Sequence, residues 1–147
     1  MVDVSRSFTV AYPLGDVVSY LADFAHAVDW DPGTQQCRRI DDGPIAAGAR
    51  WHNESQFLGR RTELTYLLDR KELKRLTFVG TNKTATSTDD LTFSDNGDGT
   101  LITYHAAIRF HGLARLADPF LRREFERLGD EITQTMPAAI RAALHAA

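Results

Sequence analysis

Few side chains in this sequence are suited to moving protons, and the most telling of them sit among apolar neighbours. In the run TATSTDDLTFS a two-residue period puts Asp89 on one side with Ser87, Leu91 and Phe93. Tyr66 shares a side with Leu64 and Leu68, and Tyr104 shares one with Ile102, Ala106, Ile108 and Phe110. The stretch RWHNESQFLG, residues 50–59, places Trp51, Asn53, Ser55 and Phe57 on one face and Arg50, His52, Glu54 and Gln56 on the other. An amide and a hydroxyl therefore stand between two aromatics on a face that should be core. A carboxyl in apolar surroundings loses its hydration, so its pKa rises unless it is paired; a general acid or base is prepared in the same way. Asp89 is thus a candidate catalytic group, or else a wet carboxylate near an open end of its sheet. Tyr66 and Tyr104 are candidate acids, or core aromatics with their hydroxyls tied off. Asn53 and Ser55 either orient a ligand or hydrogen-bond to a neighbour or a trapped water.

Other chemistries find no support. The five histidines stand at 26, 52, 105, 111 and 145. No pair has the spacing of a zinc set, and His52 and His105 fall on the outward parity of their strands, so no metal site is expected. His26 and His111 sit only at the ends of the candidate region. The single cysteine, Cys37, excludes an internal disulfide and a Cys-pair metal site, and is expected to be a strand thiol without reactivity. No GxSxG elbow and no Rossmann or Walker glycine pattern occurs, so no cofactor is expected. Arg60, Arg61, Arg70 and Lys71 cluster at turns and read as a solvated rim. Asp29 and Asp31 read as solvated caps.

Composition narrows the classes further. The chain has 147 residues, 43% hydrophobic and 25% charged, which suits one globular domain spanning 1–147. Its formal charge of -3, with no run of Lys or Arg, does not indicate a nucleic-acid footprint or an anionic-membrane patch, so neither partner is expected. The start MVDVSRSFTV has no charged region followed by an apolar one, and no window reaches the roughly 18 apolar residues of a spanning helix. A cytoplasmic location without stable membrane insertion is the expectation. The oligomeric state stays open, a homodimer included.

The elements that must position these groups follow from period and punctuation. VDVSRSFTV (2–10) alternates, with Val4, Phe8 and Val10 on one side, and predicts a strand. Pro13 opens a helix carrying Val17, Val18, Leu21 and Phe24, and a short second helix covers AHAVDW before Asp31-Pro32-Gly33 stops it. Strands are predicted at QQCRRID, at the stretch from Arg50, at RTELTYLLD, RLTFVG, TATSTDDLTFS and TLITYHAAIRF. Asn96-Gly97-Asp98-Gly99 is a strong hairpin turn, so its neighbours run antiparallel. From Leu121 a stripe of Phe125, Leu128, Ile132, Met136, Ala139 and Ala143 predicts a long amphipathic helix. Asp118-Pro119 would form its cap and first turn, unless Pro119 kinks a helix begun near Leu113. Pro137 should bend it, and Gly129 should allow close approach or leave room for something else.

Strand, two short helices, about six further antiparallel strands and a long C-terminal helix make an α+β fold in which a curved sheet grips a helix. The chain resembles the START-related, helix-grip superfamily, in particular its bacterial polyketide cyclase/dehydrase and lipid-transport branch. The likeness rests on AYPLGDVVSYLADFAHAVDWDP after the first strand, the GxRW start at Gly48 to Trp51, FLGRR, STDDLTF, GDGTLITY and GLARLADPFLRR. It implies a curved antiparallel sheet of about seven strands wrapped around the C-terminal helix, with a hydrophobic cavity between them. Ligand contacts would then come from Trp30, Trp51, Asn53, Ser55 and Phe57, from Tyr66, Phe78, Asp89, Leu91 and Tyr104, and from Phe125, Leu128 and Ile132 on the helix. Trp30 admits a second reading as a plug at a helix end. The resemblance further implies binding or carriage of a hydrophobic small molecule such as a lipid, isoprenoid, quinone or polyketide. The alternative is a cofactor-independent polyketide cyclase, aromatase or dehydratase using Asp89, Tyr66 and Tyr104. Because the inward set holds no histidine, binding is favoured. A protein-binding role is the third reading, and no exposed basic face supports it.

Overall fold

A computed structural model describes residues 1–145, apart from the side chains of Arg115, Ala117, Asp118 and Phe120. The alternating segments become seven strands: β1 (Val2–Val10), β2 (Thr34–Arg39), β3 (Arg50–Phe57), β4 (Arg60–Glu72), β5 (Arg75–Thr81), β6 (Ala85–Asn96) and β7 (Gly99–Phe110). They form one antiparallel sheet in the order β1-β7-β6-β5-β4-β3-β2. Strands β3 to β7 each pair with their predecessor in sequence, as short turns dictate. Between β1 and β2 lie α1 (Leu14–Ala22), a 3-10 turn at Phe24–His26 and α2 (Ala27–Trp30). A second 3-10 segment, Gly112–Ala117, leads into α3 (Asp118–His145), which the curved sheet grips.

Expected boundaries agree within a few residues, and the differences have local causes. Pro13 stands just ahead of α1 as its cap, its carbonyl accepting the first bond from the Val17 N–H at 3.1 Å. β4 runs on to Glu72 because Asp69 bulges out between Leu68 and Arg70, which lets the strand bend and keep pairing with β5. Pro119 opens α3 rather than kinking an earlier helix. The cap expected at Asp118 rests on a side chain outside the described residues. Pro137 lies inside α3, which continues on both sides of it.

The inward parity of the strands is the core. Trp51, Tyr66, Leu68, Phe78, Leu91, Ile102 and Tyr104 are buried on the concave face. From the helical side Phe24 drives into this face. Its ring meets Trp30 and Trp51 edge-on at 5.9 and 6.3 Å, and tilts against Tyr66 and Phe78 at 4.4 and 4.6 Å. Such pairs add about 0.5–1.5 kcal/mol each beyond burial. The C-terminal half of α3 closes this end with Met136, Ala139 and Ile140. Gly129 brings the other half of α3 down on β1, since a Cβ there would lie 2.7 Å from Val4 Cγ2. Arg6 of β1 fastens that contact from the rim, pairing with Glu126 at 2.7 Å and Asp130 at 2.9 Å. Among the described residues no helix is long and apolar enough to cross a membrane.

Candidate functional site

A chain of side-chain hydrogen bonds explains the polar residues on the inner face of β3. Ser55 Oγ donates to Asn53 Oδ1 at 2.6 Å, and Asn53 Nδ2 donates to Thr34 Oγ1 at 3.2 Å. Thr34 Oγ1 in turn donates to Asp31 Oδ2 at 2.8 Å, while the Gly33 N–H donates to Asp31 Oδ1 at 3.1 Å. The chain terminates on a carboxylate, which can only accept. Asn53 is 2% exposed and fully engaged with its neighbours. Burial pushes the Cys37 thiol, paired across the strands with Asn53, up to about 11, which keeps it protonated near neutral pH.

Asp31 is where the structure departs from expectation. It does cap the turn after α2, yet it is not a solvated cap. Taken over the whole residue Asp31 is half-buried, but its carboxyl lies deep among its neighbours, and this burial raises its pKa against the opposing bonds from Thr34 and Gly33. The reason is tertiary, because the turn that it caps is folded in against β3, with the Gln56 N–H bonded to the Gly33 carbonyl at 2.8 Å. Asp29, by contrast, is exposed.

Asp89, from the middle of β6, is 5% exposed. Its Oδ2 accepts the Tyr104 hydroxyl at 2.8 Å from the neighbouring strand β7. Burial, reinforced by the charge of Asp31 and offset in part by the Tyr104 bond, pushes the carboxyl up to about 7. Tyr66 and Tyr104 are both held well above the ordinary phenol range, by burial first and by the Asp89 charge second. Ser87 opposes part of the rise on Tyr66. Its ring lies over Gly80 of β5, where an added Cβ would sit 2.6 Å from the ring carbon bearing the hydroxyl. Two carboxyls and two phenols are thus collected in one region, with neutral forms favoured on the phenols and shared between proton and charge on Asp89.

These groups form the inner end of a cavity of about 170 Å³ between the sheet and the N-terminal half of α3. Of the residues expected to meet a ligand, Ser55, Phe57, Tyr66, Asp89 and Tyr104 line it from the sheet. Phe125, Leu128 and Ile132 line it from α3, beside Gly129. Gln56, Asn82, Thr84 and Phe110 form the outer end, and the rings of Phe57 and Phe125 meet across it at 5.1 Å. Trp30, Trp51, Asn53, Phe78 and Leu91 do not line the cavity. Trp51 and Phe78 are covered by Phe24, Trp30 packs edge-on to Phe24 and Tyr104 as a plug, and Leu91 is wholly buried. Trp51 Nε1 donates to Asp23 Oδ1 at 3.0 Å, whereas Trp30 Nε1 is buried with no acceptor among the described residues.

The histidines stand apart from this cavity. His26 stacks on Tyr20 at 4.4 Å with Nδ1 on the Tyr20 carbonyl, and His111 bonds Thr86 at the end of β6. On the outer face, ligand atoms of His52, Glu54 and Glu63 come within 4.8 Å of one another. Arg61 already faces that group, 2.7 Å from Glu54 and 3.5 Å from Glu63, making it an ion-pair network on the convex side.

Sequence and fold comparisons agree with this architecture. The model of the family described as polyketide cyclase / dehydrase and lipid transport matches residues 1–141. Among solved structures, a protein from Thermus thermophilus superimposes with a TM-score of 0.77 at 13% identity, covering 99% of each chain. The Zhui aromatase/cyclase from a Streptomyces species gives 0.73 at 13% identity over 97% of this chain and 93% of its own. A START superfamily protein from Mycobacterium smegmatis gives 0.72 at 13% identity over 98% and 97%. At such identities the likeness is one of fold. No curated protein sequence matches significantly.

Proposed function

The chain belongs to the polyketide cyclase/dehydrase and lipid-transport family, and from this premise we propose that it binds or carries a hydrophobic small molecule in the cavity between sheet and helix. The observation that carries this reading is the cavity itself: a concave, largely apolar space of about 170 Å³ with its few charged groups gathered at one end. A dry engineered cavity of about 150 Å³ takes up benzene, so this one suits a ring or a short chain, with any larger part emerging past Phe57 and Phe125. Ser55, Phe57, Tyr66, Asp89, Tyr104, Phe125, Leu128 and Ile132 are the proposed ligand contacts. The same reading puts the protein in the cytoplasm, with a small molecule rather than nucleic acid as its partner.

Native and denaturing mass spectrometry on one purified sample tests this. A stoichiometric organic mass that is lost on denaturation supports the pocket. The absence of any co-purifying mass, together with no rise in melting temperature across a panel of neutral lipids and aromatics, overturns it.

One observation favours the second reading, a cofactor-independent cyclase or dehydratase. Asp89, with its carboxyl near 7 and Tyr104 bonded to it, is suited to take a proton from an activated methylene and return it to a departing hydroxyl. Incubation with a poly-β-ketone should then give a product lighter by water in the native protein but not in Asp89→Asn. Equal conversion by both proteins would remove Asp89 from any such role.

A further inference from the structure

The charge pattern of the cavity restricts its occupant. Asp31 and Asp89 both line it, and among the described lining residues there is no Lys, Arg or His. Asp89 is 5% exposed, and its Oδ2 is engaged by Tyr104. Its Oδ1 accepts no hydrogen bond from any described residue and keeps some open surface where Asp89 lines the cavity, so it can still take a donor. This end of the cavity therefore holds two carboxyls within electrostatic reach of each other, one unused acceptor and no counter-charge.

On the reading that this cavity is a ligand site, we infer that it selects an apolar ligand whose buried end is a protonated amine, seated on Asp89 beside Asp31, and that it rejects amphiphiles headed by carboxylate or phosphate. A cation there removes the repulsion between the carboxyls and satisfies the open oxygen with a charge-assisted bond. An anion would add a third negative group to a space poor in water. A neutral donor such as an alcohol falls between the two, supplying the hydrogen bond without the charge.

Three probes with one apolar body separate these cases: naphthylmethylamine, naphthylmethanol and naphthoate, titrated calorimetrically into the whole protein near neutral pH. The amine should bind about tenfold or more tightly than the alcohol, as a charge-assisted bond implies, and naphthoate should bind most weakly. Asp89→Asn should erase the preference for the amine while keeping affinity for the alcohol, since the amide oxygen still accepts from a hydroxyl. Asp31→Asn, which keeps an acceptor for Gly33 and Thr34, should reduce the preference in the same direction and serves if the first variant does not fold. Equal affinities for amine, alcohol and carboxylate overturn the charge selection and leave the binding reading standing. So does an amine preference unchanged in both variants. If none of the three probes binds, the binding reading fails and this inference fails with it.

Discussion

Asp89 and Asp31 make a prediction in which the direction of the pH effect is fixed. The Asp89 carboxyl ionises near its ordinary value of 3.8 in the unfolded chain and at about 7 in the folded one. Between those values the folded protein holds a proton that the unfolded chain has released. The contribution of Asp89 to stability is therefore fully present below about pH 4, is lost as pH rises to about 7 and changes little beyond it. Asp89→Asn removes this liability while preserving an acceptor for Tyr104. The variant should match the native protein near pH 4 and exceed it by on the order of 4 kcal/mol above neutrality, a shift of one pKa unit being about 1.4 kcal/mol. Urea denaturation of both proteins at several pH values measures this. The difference between the two curves isolates Asp89 from carboxyls such as Asp41, which its bonds to Arg39 and the Arg50 N–H hold low. A difference that does not change with pH would mean that Asp89 is hydrated in the folded state. At this scale the sequence is legible only in part. Parity puts Asp89 on the inner face of its strand, but Asp31 lies in the turn after α2, where a two-residue period says nothing about which way a side chain faces. The packing of that turn against β3 decides its surroundings, and no local pattern encodes it.

At the scale of elements, the turn between β3 and β4 carries a backbone strain that its sequence does not hide. Leu58 and Gly59 connect Phe57 to Arg60, with φ of 52° and 77°. Positive φ at both central residues is the geometry that asparagine followed by glycine adopts most readily, whereas the Cβ of a leucine crowds the following carbonyl oxygen there. Leu58 is also 58% exposed, so it recovers little by burial. Leu58→Asn should therefore raise the urea midpoint, by about 1 kcal/mol in stability. A lower midpoint would show that Leu58 makes contacts at the cavity's outer end that outweigh the strain. The elements themselves are largely readable, since Val2–Val10, Arg50–Phe57 and the turn at Asn96–Gly99 announce themselves by alternation and by residue type. What alternation cannot report is depth along a strand. Trp51, Phe78 and Leu91 have the inward parity expected of cavity residues, yet Phe24 fills the groove over Trp51 and Phe78. Phe24, expected on the first helix with Val17, Val18 and Leu21, instead stands in the 3-10 turn after α1, and nothing in that spacing indicates where along the sheet its ring will land.

At the scale of the whole molecule, the two halves of α3 do different work. Met136, Ala139 and Ile140 seal a filled core with Phe24, while Phe125, Leu128 and Ile132 roof a space that the protein leaves unfilled. At about 24 cal/mol per Å³, a void of about 170 Å³ forgoes at most about 4 kcal/mol of packing, an upper bound because its outer end is open. A cavity of this kind should be easy to fill with gain in stability and loss of binding. Ala106 lines it directly opposite Asp89 in the β6–β7 register, so Ala106→Ile places about three more carbons in the space on a residue type that suits a strand. The variant should melt at or above the native temperature and lose affinity for naphthylmethanol by about tenfold or more, read by thermal denaturation and calorimetry on the same preparations. Retained affinity would place the probe elsewhere on the molecule. A fall in melting temperature would mean that the space is already close-packed, since overfilling a core typically costs about 1–3 kcal/mol.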